Sequence, residues 1–186
     1  MIEIGEYCKI TKGCIILQHD YSRSVLRRKY GRVIGESQKT IIGDNVFIGV
    51  NSVVLMGTTI GNDVVVGAGS VVRGKIPDGV VIAGNPARII CTLDEYKSKR
   101  EKRCIDEAKN TAIEFYTKYG RIPSEREMGA FWPLFSQKNI SRLREKGIFT
   151  NLSGDEEEEI ISYWIADKAP FDSYDEFLYY CGLQSR

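Results

Sequence analysis

The chain has 186 residues, of which 42% are hydrophobic and 27% are charged, and its formal net charge at pH 7 is +1. This composition is typical of a globular protein and excludes a disordered or fibrous chain. The first residues, MIEIGEYCKI, contain acidic groups and no apolar run, so we expect no signal peptide. No uncharged stretch reaches the roughly 18 apolar residues of a membrane-spanning helix, which predicts a soluble, cytoplasmic protein without an integral membrane segment.

The charges and the cysteines exclude two further classes of protein. Residues 1–91 carry 11 basic and 7 acidic side chains, and residues 92–186 carry 15 and 18. Neither part is basic enough to predict binding of nucleic acid. The five cysteines form no CxxC pair and accompany a single histidine, His19, so we expect neither a disulfide framework nor a metal site.

Aliphatic residues recur every six positions in the first half of the chain. They begin upstream and continue without a break after residue 41: Ile4, Ile10, Ile16, Ile42, Ile48, Val54, Ile60, Val66 and Val72. Neither a helix period nor strand alternation explains this spacing. A three-sided coil explains it, because each side contributes one interior aliphatic residue, three repeats of six close one coil, and coils stack about 4.8 Å apart.

Two other positions of the repeat have a regular composition. Glycine follows many of the aliphatic residues, and we expect it there because it tolerates a positive φ in a tight turn. The position four residues after the aliphatic is mostly small or β-branched: Cys8, Cys14, Val46, Ser52, Thr58, Val64, Ser70 and Ile76. We therefore interpret Cys8 and Cys14 as stacked interior side chains.

A long excursion loop, residues 20–40, interrupts the repeat directly after His19. Six basic side chains oppose Asp20 and Glu36 there, namely Arg23, Arg27, Arg28, Lys29, Arg32 and Lys39. Long loops in compact domains are usually functional or disordered. Two interpretations stay open, a solvated loop and an arm over a site that receives an anionic ligand.

Residues 42–90, with the motifs IGDNVFIG, GAGSVV, IP and AGNPA, resemble the hexapeptide-repeat acyltransferases, the family of galactoside, serine and xenobiotic acetyltransferases. Within that family the chain is most similar to the sugar O-acetyltransferases of bacterial surface-polysaccharide gene clusters. The resemblance implies a left-handed parallel β-helix over residues 1–91, followed by an α-helical C-terminal domain over residues 92–186. Family members usually have further coils upstream, so the acceptor site belongs to a short version of the enzyme, to a longer chain, or partly to neighbouring subunits.

The resemblance also implies a catalytic residue. In these enzymes a histidine just before an excursion loop is the general base, and His19 occupies that place in the segment QHDYS. Imidazole is suited to this task because it accepts a proton near neutral pH. Asp20, the next residue, is a candidate for orienting the ring or contacting the acceptor.

The donor implied by the resemblance is acetyl-CoA, lying in a groove between neighbouring subunits of a homotrimer. Carried over by position, the backbone amide of Val50 approaches the thioester carbonyl, and the backbone of Ala68 meets the pantetheine arm. Arg88, in NPAR, meets the coenzyme phosphates. The family often has Thr-Lys after SVV, where this chain has Arg73-Gly74-Lys75, so Arg73 or Lys75 is a further candidate for a phosphate contact.

These observations predict an O-acetyltransferase that transfers acetyl directly to a sugar hydroxyl of a surface polysaccharide or its precursor. One alternative is N-acetylation of an amino sugar on a nucleotide carrier, which the basic loop would suit. A second is a catalytically silent trimeric scaffold, because fold alone does not fix function. The zinc hydratases that share the fold need three histidine ligands, and this chain has one histidine.

The residues after Cys91 have a helical pattern. Residues 92–119 predict one long amphipathic helix, with a cap at Thr92 or Asp94 and an end at Gly120. Three capping boxes predict further helix starts: Ser124 with Glu127, Ser153 with Glu156, and Ser173 with Glu176. The aromatic residues are interpreted as a small helical core: Phe131, Trp132, Phe135, Trp164, Phe171, Phe177, Tyr179 and Tyr180. This helical part is expected to cap the open strand edge of the β-helix, to help form the acceptor site, or both.

Overall fold

The structure is a computed structural model, and it describes residues 1–148 and 156–183. The chain divides into two compact units, Met1–Lys99 and Arg100–Arg186. The last strand of the first unit ends at Thr92, and a long helix begins at Leu93. Assignment of residues 92–186 to a separate domain stays a prediction.

Short strands build the first unit. In chain order they are β1 (Ile2–Ile4), β2 (Lys9–Ile10), β3 (Ile15–Ile16), β4 (Thr40–Ile42), β5 (Phe47–Ile48), β6 (Val53–Val54), β7 (Thr59–Ile60), β8 (Val65–Val66), β9 (Val71–Val72), β10 (Lys75–Ile76), β11 (Val80–Gly84) and β12 (Ala87–Thr92). The strands form three sheets, which are the three faces of the coil. The strand order is β1-β4-β7-β10 on face 1, β2-β5-β8-β11 on face 2, with β12 outside β11, and β3-β6-β9 on face 3. All pairs are parallel except β11 with β12. The predicted three-sided parallel β-helix is confirmed.

The aliphatic residues of the repeat stack inside the coils. Ile42 lies over Ile60 on face 1, and Val54 lies over Val72 on face 3, so one coil takes 18 residues here. These side chains are buried in one continuous core. Cys8 and Cys14 pack against that core, as predicted, and each Sγ lies 3.2 Å from a carbonyl oxygen, of Gly43 and Gly49 respectively.

The prediction for Ile76 is wrong. Ile76 was expected in the small-residue position, but it pairs with Ile60 and thus takes the interior aliphatic position of face 1. The cause is a shorter connection between β9 and β10, where only Arg73 and Gly74 intervene and Gly74 has a φ of +78°. The period of six therefore ends at Val72.

Three corners join the faces, and we call them the first corner (face 1 to 2), second corner (2 to 3) and third corner (3 to 1). At the first corner an Asx side chain of one coil binds the preceding coil: Asn62 Oδ1 accepts the N–H of Asp44 at 2.8 Å. A Cβ on Gly43 would lie 2.5 Å from that Oδ1 and 2.8 Å from the backbone of Gly61. The glycine after the aliphatic is thus required by close approach between coils. The predicted positive φ is wrong for Gly43, and positive φ values occur instead at neighbouring corner residues such as Asn45.

The excursion between β3 and β4 contains a helix that the sequence analysis treated as loop. Helix α1 (Arg23–Tyr30) follows a turn in which Asp20 accepts the N–H of Ser22 at 2.8 Å. It ends at Gly31, whose φ is +70° and whose N–H donates to the carbonyl of Arg27. No residue of α1 is buried.

The remaining helices are α2 (Leu93–Tyr119), a 3-10 helix (Gly129–Leu134), α3 (Ile140–Glu145), α4 (Glu157–Ala166) and α5 (Tyr174–Cys181). Helix α2 has the predicted cap at Thr92, whose Oγ1 accepts the N–H of Glu95 at 3.2 Å, and it ends at Gly120 as predicted. Among the helices in the described part of the chain, none is long and apolar enough to cross a membrane.

One predicted capping box is complete in the structure, and for Ser173 with Glu176 only the serine cap forms, because the Glu176 carboxylate accepts the N–H of Asp172. Ser124 and Glu127 bind each other's backbone N–H, but the box begins a turn that leads into the 3-10 helix. Ser173 caps α5 by accepting the N–H of Glu176 at 3.1 Å. The predicted cap at Ser153 lies outside the described residues.

The aromatic residues of the second unit form its core, as predicted for most of them. Trp132 and Trp164 pack edge to face with 4.9 Å between their ring centroids, and the ring centroids of Phe135 and Phe177 are also 4.9 Å apart. Tyr179 and Tyr180 differ from the prediction, because both are exposed.

Candidate active site

His19 lies at the third corner, three residues after the end of β3. Its side chain is exposed and lines an open cavity of about 560 Å³, whose apolar wall includes Ile2, Ile16 and Leu17. The ring of Tyr21 stands edge-on to the imidazole, with 5.9 Å between the ring centroids. Within residues 1–148 and 156–183, no side chain or carbonyl is hydrogen-bonded to the imidazole, so both ring nitrogens are open to a ligand.

Asp20 lines the same cavity, but its carboxylate is turned to the start of α1. Its Oδ1 accepts the N–H of Ser22 at 2.8 Å, and the hydrogen bonds from the side chain and backbone of Ser22 lower the pKa of Asp20. The charge of His19 lowers that pKa further, as a smaller effect. The carboxylate therefore stays ionised, and the orienting role of Asp20 toward His19 stays a prediction.

Two of the five candidate coenzyme residues lie at the second corner, and a third, Arg88, lies in β12 at the outer edge of face 2. Strand register puts Val50 and Ala68 at equivalent positions in successive coils, and Arg88 pairs with Ala83 one coil further on. Among the described residues, the N–H groups of Val50 and Ala68 have no hydrogen-bond partner, whereas the Val50 carbonyl accepts from Gly69 at 2.8 Å. This corner thus presents two free N–H donors, and the exposed guanidinium of Arg88 lies beyond them in β12.

Of the other two candidates, Arg73 is at the third corner and Lys75 is the first residue of β10, directly after that corner. Both side chains are exposed, on either side of Gly74, and they lie two coils from His19 along the same corner. One chain therefore does not bring the candidate base and the free N–H donors to the same corner of the β-helix.

Two residues near this site were missed by the sequence analysis. Tyr21 lies in the excursion with an exposed ring beside His19, and its signal in the sequence is an aromatic residue two positions after the histidine. Lys12 occupies in the preceding coil the position that Val50 occupies in the next, and its side chain is exposed. Its signal in the sequence is the shared spacing, because Lys12 follows Ile10 by two residues as Val50 follows Ile48. In the part of the chain that the structure describes, no cluster of His, Cys, Asp or Glu could hold a metal ion.

Comparison with known proteins identifies the repeat. Residues 39–73 match the family model described as hexapeptide repeat of succinyl-transferase. Protein CapG of Staphylococcus aureus is 48% identical over 99 residues, which are 53% of this chain and 57% of that protein. The putative lipopolysaccharide biosynthesis O-acetyl transferase WbbJ of Escherichia coli K12 is 62% identical over 55 residues, which are 30% of this chain and 28% of that protein. The chain thus spans little more than half of the first relative and less of the second.

Among solved structures, a galactoside acetyltransferase in complex with coenzyme A is 28% identical to this chain. The match covers 52% of this chain and 57% of that one, with a TM-score of 0.40. The sequence relatives and the family model confirm the predicted resemblance over the repeat.

Proposed function

We propose that this hexapeptide-repeat protein is an acetyl-CoA-dependent O-acetyltransferase, acting on a sugar hydroxyl of a surface polysaccharide or its precursor. The observation that carries the proposal is an exposed imidazole in an open cavity, beside an excursion from a hexapeptide-repeat β-helix. The 62% identity of 55 residues to a putative lipopolysaccharide biosynthesis O-acetyl transferase supports the choice of acetyl donor and sugar acceptor. With acetyl-CoA as donor, the proposed place of action is the cytoplasm.

The proposed reaction needs one base and one oxyanion donor. His19 accepts the proton of the acceptor hydroxyl while the oxygen attacks the thioester carbonyl. The N–H of Val50 stabilises the oxygen that gains negative charge in the tetrahedral intermediate. When the carbon–sulfur bond breaks, the imidazolium returns the proton to the coenzyme sulfur, so the products are the acetyl ester and free coenzyme A. No covalent enzyme intermediate is needed.

Coenzyme binding is assigned to the second corner. Successive coils are about 4.8 Å apart, so the free N–H groups of Val50 and Ala68 match the extended, amide-containing pantetheine arm. Arg88 continues this line and is assigned to the phosphates, because a guanidinium recognises phosphate with paired donors. Arg73 and Lys75 are assigned to the phosphate end from the third corner.

The proposed base at the third corner and the proposed coenzyme contacts at the second corner meet only if subunits assemble. Because His19 lies at the third corner and Val50 at the second, we propose a homotrimer in which the third corner of one subunit faces the second corner of its neighbour. Each groove then contains a base from one subunit and oxyanion and pantetheine contacts from another.

The first test is release of free thiol from acetyl-CoA with a panel of sugars, oligosaccharides and nucleotide-linked amino sugars. His19→Ala is expected to lower acceptor-dependent release by about a hundredfold, or about 2.7 kcal/mol of barrier. Gly35→Ala is the control, since a Cβ at Gly35 meets nothing within 4 Å. Activity that survives His19→Ala would exclude His19 as the base.

The acceptor panel also separates the alternatives. Transfer only to the amino sugars would replace O-acetylation with N-acetylation. Absence of both transfer and micromolar coenzyme binding would support the scaffold.

A further inference from the structure

Five cations of the excursion form what we call the basic arm: Arg23, Arg27, Arg28, Lys29 and Arg32. All five are exposed, and none has an acidic partner within residues 1–148 and 156–183. The sixth basic residue of the excursion, Lys39, differs from them because it pairs with Glu3 at 2.6 Å. The arm is therefore a concentration of uncompensated positive charge on one solvated segment.

Helix α1 explains only part of this charge. Arg27, Arg28 and Lys29 are in the last turn, where cations favour the negative end of the helix dipole. Arg23 is at the opposite end, in a first turn that contains no acidic residue, and it lies four residues before Arg27. Both placements oppose helix stability, since cations are unfavourable at a helix N-terminus and like charges at i and i+4 repel.

The arm begins beside the proposed base. The guanidinium carbon of Arg23 lies 5.6 Å from the centroid of the Tyr21 ring, whose other neighbour is the imidazole of His19 at 5.9 Å. A single tyrosine ring thus separates the first cation of the arm from the cavity of His19. Of the two acidic groups in the excursion, the ionised Asp20 accepts the N–H of Ser22, and neither Asp20 nor Glu36 forms an ion pair with the arm among the described residues, so the five cations keep an excess of positive charge.

We propose that the acceptor is an anionic saccharide, and that the basic arm binds its negative charge while His19 takes the proton of one of its hydroxyls. This inference rests on the proposed function and adds the substrate class. The group that the basic arm binds is a carboxylate of an acidic sugar or a phosphate of the carrier to which the sugar is attached. Helix α1 spans about 12 Å, which suits an extended ligand with several charges.

The test is direct binding to the full chain, measured by titration calorimetry at low ionic strength. The probes are an oligogalacturonate, which carries carboxylates, uridine diphosphate, which carries phosphates, and a maltooligosaccharide, which is neutral. We expect one anionic probe to bind and the neutral probe not to bind. The variant Arg27→Gln, Arg28→Gln, Lys29→Gln keeps residues that favour helix and is expected to weaken that binding by about tenfold or more.

The control is Lys102→Gln with Arg103→Gln, which removes two exposed cations from α2. Equal weakening in the control, or equal binding of the neutral probe, would overturn the inference. So would the failure of both anionic probes to bind. Raising the salt from about 0.05 to 0.3 M is expected to weaken binding to the wild type more than to the arm variant, because salt screens exposed charges.

Coenzyme binding and acetyl transfer separate this inference from the proposed function. The arm variant is expected to bind acetyl-CoA like the wild type and to lose transfer to anionic acceptors. If wild type and arm variant acetylate charged and neutral sugars equally, the arm is not the recognition element, although the proposed function stands. If the wild type binds the anionic probe but neither binds acetyl-CoA nor transfers acetyl, the proposed function fails, and with it the acceptor role of the arm.

Discussion

Gly43 stands where two coils of the β-helix approach each other closely. The same contact recurs at Gly5 and Gly61, each of which faces an aspartate or asparagine oxygen of the next coil. At Gly43 the neighbouring atoms include backbone atoms of Gly61, which cannot rotate away as a flexible side chain can. The space for a methyl group is therefore absent.

We predict that Gly43→Ala destabilises the protein by about 2–3 kcal/mol, because the added methyl overpacks a rigid backbone contact. Chemical unfolding followed by circular dichroism measures this change. Gly35→Ala is the matched control, since its methyl meets open space and its φ is not positive. Equal stability of Gly43→Ala and wild type would contradict the close-approach explanation.

Glu127 gives a prediction at acidic pH. The Arg121 side chain and the backbone of Ser124 bind its carboxylate and lower the pKa of Glu127 to about 2. Since the folded-state pKa is below the usual value of 4.5, the stabilisation is present above about pH 4.5 and is lost as the pH falls toward about 2.

Glu127→Gln is thus expected to lower the melting temperature at pH 7 and to reduce its fall between pH 5 and pH 2. Thermal unfolding at several pH values measures both effects. Glu114→Gln, which removes an exposed carboxylate of α2, serves as the control. A wild type and a Glu127→Gln variant with parallel pH profiles would show that this carboxylate does not couple to folding.

The sequence predicted where single residues lie better than why they are there. The aliphatic series located the interior of the coils, because its spacing reflects the geometry of the repeat directly. It could not reveal the contact of Gly43 with Asn62, since that contact joins residues 19 positions apart. Nor could it reveal the short turn at Gly74 that moves Ile76 into the aliphatic position.

At the scale of elements, the strands, the long helix α2 and the start of the short helix α5 were predictable, and helix α1 was not. Helix α2 was visible from its caps and its apolar stripe, of which Ala108 and Ala112 are fully buried. Helix α1 has no buried residue, so no hydrophobic periodicity marked it. Locating the candidate residues at two different corners also required the strand register, because the sequence pattern does not show which corner each residue occupies.

Helix α5 offers a test of the second unit's core. Phe177 is fully buried, and its ring centroid lies 4.9 Å from that of Phe135 and 5.4 Å from that of Phe171. We predict that Phe177→Ala costs about 3–5 kcal/mol, because it leaves a cavity among these rings. Tyr179→Ala on the same helix is the control, since Tyr179 is 70% exposed. A loss of similar size in both variants, measured by chemical unfolding, would contradict the cavity explanation.

At the scale of the whole molecule, the proposed chemistry depends on assembly. The candidate base and the free N–H donors are at different corners of one chain, so under the proposed function one subunit does not contain both. Light scattering at micromolar concentration is expected to give the mass of three chains. A monomer would contradict the shared groove.

Mixing two inactive variants tests the sharing of the site. His19→Ala removes the base, and Ala68→Trp fills the proposed pantetheine path. Refolding an equal mixture is expected to restore about a quarter of the wild-type activity. In random assembly, about a quarter of the sites combine an intact base from one subunit with an intact groove from its neighbour. Each variant refolded alone is the control. Absence of recovery from a mixed assembly would place both groups of residues within one subunit.

The third corner differs from the other two in the length of its connections. The connections at the second corner keep the same length, residues 11–14, 49–52 and 67–70, and the bonds of the first corner repeat from coil to coil. The third corner instead spans residues 17–39, 55–58 and 73–74. Chain length can change there without disturbing the stacked bonds. Under the proposed function, a graft of another excursion is therefore expected to alter the acceptor while leaving donor binding intact.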